Sequence, residues 1–301
     1  MTILVAAVVL LAATVPVAAH GDDAVWTSAG AWSYDPWLVV PLYLGALLYL
    51  LGTRRVWREA GAGRGISYWH AASFWAGWTI LALALISPLH FLAERMLSAH
   101  MLEHELIMAV AAPLLVLSKP LYGLLWALPI GARKWLGAAA LSAPVAAVWV
   151  VLTDATIATG LHAFTVLAWH VPLLFEAATE NPVLHKLQHA SFLVTALLFW
   201  WSLLKLPRRA YGVAAFDLFA TMMAFTMLGA LLTLSPKLWY PSYSAPLFGL
   251  SPLEDQQLAG LLMWIPGCSI YAAAALGFFA VWITTMGPRG RPDAILHRTT
   301  G

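Results

Sequence analysis

Apolar runs of membrane length recur along the chain, divided by short polar stretches. They cover about Trp37–Leu51, Tyr68–Ser87, Ser98–Lys119, Pro144–Trp169, Leu187–Leu206, Ala214–Leu234 and Leu258–Thr284. About 20 apolar residues in a helix cross a hydrocarbon core. The pattern therefore predicts an all-α, polytopic membrane helix bundle of about seven transmembrane helices filling residues 37–284. Leu121–Leu136, with Arg133 and Lys134, reads as an interfacial segment. The first run, Ile3–Ala13, is shorter and is followed by Pro16 and Val17-Ala18-Ala19. Small residues at that position predict a signal peptide over 1–19, cut after Ala19. Its start carries no Lys or Arg, so an uncleaved extra span is the alternative reading. Residues 20–36 are then an external segment and 285–301 a cytoplasmic tail.

Composition agrees. Hydrophobic residues make up 61% of the chain and charged residues 10%, against about 25% charged in a soluble domain. A net charge of +2 without a clustered basic face argues against nucleic acid as a partner. The single cysteine, Cys268, excludes an intramolecular disulfide and a CxxC metal motif. Of the 16 basic residues, only Arg95, Lys186 and Lys237 fall outside if the N-terminus is outside and the C-terminus inside. The positive-inside rule selects that orientation. Trp32, Trp37, Trp169 and Trp239 near the outer ends, and Trp57, Trp69, Trp135 and Trp200 near the inner ends, fit aromatic belts.

On this topology most of the ten histidines gather at the outer ends of spans. His100 and His104 open the third span, four residues apart, and so share one helical face. Continuing the step gives the stripe Met96, His100, His104, Met108. His185 and His189 repeat the spacing at the fifth span, His170 ends the fourth, and His162 lies one to two turns deeper. Imidazole serves several metals and thioether sulfur selects Cu(I), so these residues are candidate copper ligands. The alternatives are packing for Met96 and Met108 and a supporting role for His162 and His170. His90 reads as an interfacial histidine bonded to water or headgroups. If cleavage exposes His20, its amino group and imidazole form a further candidate copper site beside Asp22 and Asp23. Asp154, inside the fourth run, needs a partner or a wet cavity. Asp217 is placed to pair with Arg208 or Arg209.

Four segments together resemble the multi-spanning CtaG family of cytochrome c oxidase assembly factors. They are SAHMLEHELIMAVAAPLLVL (98–117), AWHVPLLFEAA (168–178), HKLQHASF (185–192) leading to FWW (199–201), and EDQQLAGLLMWIPG (254–267). The resemblance runs from about Trp37 to Thr284. It implies a multi-pass protein of the bacterial plasma membrane that is needed to make an active haem–copper oxidase, with copper delivery as the usual proposal. His100, His104, His170, His185 and His189 match the motif histidines, and Asp255, Gln256 and Trp264 match the last motif. Glu103 and Glu105 are less usual in such a segment, and the first 19 residues lie outside the resemblance.

The leading expectation is a non-enzymatic assembly factor that binds copper at the outer face and passes it to a cytochrome c oxidase subunit, with a copper donor protein as a second partner and the lipid bilayer as its medium. One alternative is a metal-free scaffold for oxidase subunits. Another is a haem b electron-transfer protein, for which His162 is the deeply placed outer-leaflet ligand. A copper transporter fits less well, because the ligands collect on one side.

Overall fold

Asp35 starts the first helix. Its carboxylate accepts the Trp37 N–H at 2.9 Å, and Pro36 takes the first helical position, where no N–H is needed. The computed structural model describes residues 32–244 and 248–286. His20, the signal-like run and the expected tail beyond Met286 lie outside them. The described residues are helical, with no strand among them: α1 (Pro36–Ala60), α2 (Tyr68–Ile86), α3 (Pro88–Ala93), α4 (Leu97–Glu105), α5 (Ala112–Leu117), α6 (Pro120–Ala127), α7 (Ile130–Ala140), α8 (Ala143–Leu152), α9 (Ala155–Trp169), α10 (Pro172–Glu180), α11 (Pro182–Leu204), α12 (Tyr211–Leu234), α13 (Pro252–Leu262) and α14 (Cys268–Met286). Six helical stretches are long and apolar enough to cross a membrane, or eight if each of two bent pairs is one span. The expected bundle of about seven lies within that range.

The third span is the hub. α4, a π-helical turn at Leu106–Ala111 and α5 form one rod, Leu97–Leu117, which is the most enclosed of the spans. Its 21 residues reach about 32 Å at 1.5 Å per residue, the thickness of a hydrocarbon core. α2, α11 and α13 pack around it. Small residues let them approach: a Cβ on Gly77 of α2 would sit 3.0 Å from the Ala111 carbonyl oxygen. Between α12 and α13, Gly229 and Gly260 cross so closely that a Cβ on either would meet the other's carbonyl at under 3 Å.

Two expectations are corrected. The fourth run is not one helix, because the chain breaks between α8 and α9 at Thr153 and Asp154. The Thr153 hydroxyl bonds back to the Trp149 carbonyl at 2.7 Å, and Asp154 Oδ1 caps α9 by accepting the Thr156 and Ile157 N–H groups at 3.1 Å. Asp154 therefore finds its partners in the local backbone, Thr156 among them. Asp217, in contrast, makes no ion pair with Arg208 or Arg209 among the described contacts, and its Oδ2 is buried without a hydrogen bond. Met96 precedes α4 in extended conformation (φ −130°, ψ 126°). Met108 lies in the π-helical turn and is buried in the apolar core.

Candidate imidazole–carboxylate site

The start of α4 has no capping side chain of its own. Asp255, from the first turn of α13, supplies one: its carboxylate accepts the Leu97 N–H at 2.7 Å, the Ser98 N–H at 3.2 Å and the Ser98 hydroxyl. A buried carboxylate on the positive end of a helix is favourable, and here it fixes where α4 begins. His100 and His104 follow one and two turns later. Gln256 holds the neighbouring loop, accepting the Trp239 N–H at 2.6 Å and donating to the Lys237 carbonyl at 3.0 Å. That loop brings Tyr240 and Tyr243 over the histidines.

The two pairs meet. The His100 and His104 rings are 4.2 Å apart between centres, His185 and His189 4.5 Å, His100 and His185 5.4 Å, and His104 and His189 4.9 Å. Glu103, on the next position of the same helix, is fully buried between α3 and α11. Its Oε1 lies 2.9 Å from His90 Nδ1 and 3.2 Å from His189 Nε2. The His189 contact has ion-pair distance without hydrogen-bond alignment, since that nitrogen has no geometric hydrogen-bond partner. His189 Nδ1 faces the His185 carbonyl at 3.1 Å.

Hydrogen bonds set which ring nitrogens are free. Burial pushes the Tyr243 phenol well above its ordinary value, so it stays neutral. It donates to the Ala93 carbonyl at 3.0 Å, and its oxygen can then accept from His100 Nδ1 at 3.2 Å. The His100 Nε2 lone pair is left buried and unpartnered, as are both nitrogens of His104 and Nε2 of His185. His170 Nδ1 faces the Val166 carbonyl at 2.7 Å and Nε2 faces the Met101 sulfur at 3.3 Å; the Tyr240 hydroxyl donates to the His170 carbonyl at 2.7 Å. The His170 ring lies 6.3 Å from that of His104, at the edge of the cluster.

His162 is separate. It is bonded to Thr195 at 3.1 Å and packed between Phe199 and Phe225. Three residues that the sequence reading left out join the site. His90 is a member rather than a water-facing histidine, with its ring 6.0 Å from that of His185. Met101 is the methionine that touches a histidine. Glu103 bridges two of them, and the sequence signal for it is its place between His100 and His104. Outside the spans, burial alone would lower the His90 pKa; the Glu103 carboxylate outweighs that, with Glu94 and Asp35 adding, and His90 is raised.

The donor set fits copper in kind: several neutral imidazole nitrogens, a thioether and a carboxylate. Buried orphaned nitrogens in an apolar bundle are costly, and a metal would relieve that cost. The arrangement stops short of a finished site. Among the described residues no three His, Cys, Asp or Glu side chains stand in metal-holding geometry.

An all-helical bundle with six to eight candidate membrane spans, carrying an imidazole–carboxylate cluster among its described residues, is a polytopic helical membrane protein. The chain belongs to the cytochrome c oxidase caa3 assembly factor family (Caa3_CtaG), which it matches over residues 47–285, a range that holds the whole cluster. Neither a curated protein nor a solved structure matches it.

Proposed function

We propose that this assembly factor takes up copper transiently through His100, His104, His185 and His189, and hands it to an oxidase subunit. His170 with Met101 is a flanking pair. On the positive-inside reading the cluster faces the outer side of a bacterial plasma membrane, where a copper donor protein and the receiving subunit can reach it. One observation carries the reading: four ring nitrogens on three residues of two helices are buried, adjacent and without partners. When bound, copper supplies only its own transfer. The chain's residues hold ring lone pairs inward and keep His90 on Glu103.

A metal-free scaffold is the second reading, and the missing three-ligand geometry is what favours it. The haem b alternative loses ground because His162 is tied to Thr195 and sits apart from the other histidines. Oxidase maturation separates the first two readings. In a host lacking this chain, the wild type should restore oxidase activity and the oxidase's copper content. The His100→Ala/His104→Ala variant should restore neither while still reaching the membrane. Full rescue by that variant would leave the scaffold.

A further inference from the structure

A second built feature lies at the opposite end of the third span from the histidines. α5 ends at Leu117, the chain turns through Lys119 in the left-handed region (φ 54°), and α6 starts at Pro120. A cavity of about 420 Å³ opens between this turn, the first turn of α2 and the last turn of α11. Its wall is of two kinds. Tyr122, Trp201 and Leu204 form an apolar side, while Lys119 and Lys205 bring two exposed cations, with His70 beside them. Neither lysine has a carboxylate partner among the described ion pairs. Lys205 Nζ lies 4.3 Å over the Trp201 ring, a contact that leaves its charge uncompensated.

Two uncompensated cations beside an apolar wall, at the ends of membrane helices, match an anion that carries a hydrocarbon chain. Long lysine side chains lie along apolar surface and present their charge at the headgroup level, and basic pockets between membrane helices take anionic headgroups. The volume is in the range of small-ligand sites. A free inorganic phosphate would use the lysines and leave Tyr122, Trp201 and Leu204 without a purpose. We propose that this cavity binds the headgroup of an anionic phospholipid, its phosphate held by Lys119 and Lys205 and its acyl chains running out past the exposed Leu117.

The test uses the full chain in detergent micelles, titrated with phosphatidylglycerol or phosphatidylcholine and read by native mass spectrometry. Phosphatidylglycerol should be retained in preference to phosphatidylcholine. Lys119→Ala/Lys205→Ala should weaken that retention roughly thirtyfold, the loss expected for two lysines at a membrane surface. Lys119→Arg/Lys205→Arg should keep it. Arg54→Ala/Arg58→Ala removes the same charge from exposed positions on α1 and should change it little. Equal binding of both lipids, unchanged retention in the lysine-to-alanine variant, or an equal loss in the α1 variant would overturn the proposal. Displacement by millimolar inorganic phosphate would reassign the cavity to the free anion and overturn the lipid claim.

Discussion

At the residue scale the cluster depends on groups that are not themselves ligands. Asp255 caps α4 from another helix, and its loss would strand three buried donors. Each buried unsatisfied group costs about 1–3 kcal/mol. Asp255→Ala should therefore lower the thermal midpoint clearly and loosen His100 and His104, while Glu254→Ala, at an exposed residue that bonds only within its own helix start, should cost far less. A denaturation series on the two variants checks this; equal midpoints would remove Asp255 from its role. Protons compete with metal for the same lone pairs. Copper retention should fall once acidification protonates the ring nitrogens that hold it, and copper kept on rings that NMR shows to be protonated would contradict imidazole ligation. The His90–Glu103 pair has the opposite sense. A raised histidine pKa means the charged pair stabilises the apo fold fully at low pH, and that share is lost as pH rises through the raised value. Imidazole NMR should find His90 titrating above a free histidine, and Glu103→Gln should bring it down.

At the scale of elements, the four-residue spacing made both histidine pairs legible as helical faces, and the spans followed from apolar length alone. What was not legible has local causes. Thr153 and Asp154 sit in an apolar run, and only their bonds to nearby backbone show that they end one helix and start another. A π-helical turn follows His104 and adds a residue to the repeat, which no composition rule announces. That turn sets how the histidine face is rotated against α5. Adding one alanine after Val110 should swing the two faces by about 100° relative to each other. The insertion variant should still reach the membrane and purify as a single species, yet lose oxidase maturation. Wild-type maturation would mean the turn has no part in placing the site.

At the scale of the whole molecule, the meeting of the pairs was beyond the sequence, because nothing in a single chain says which helices are neighbours. The structure supplies the reason they meet: α4 is central, α11 packs along the same rod, and the Tyr240–Tyr243 loop closes over both. The same packing recruits His90 and Met101 from positions with no spacing signal, and Glu103 from between the two histidines of α4. It also leaves two chemically distinct ends, imidazole and carboxylate at one, lysine and an apolar cavity at the other. The central claim is that the two pairs act as one copper site. Copper per protein after anaerobic purification and Cu(I) loading tests it most directly, comparing the wild type with His100→Ala/His104→Ala and His185→Ala/His189→Ala. The account predicts stoichiometric copper in the wild type and its loss in both variants. A folded wild type that takes up no copper would contradict it.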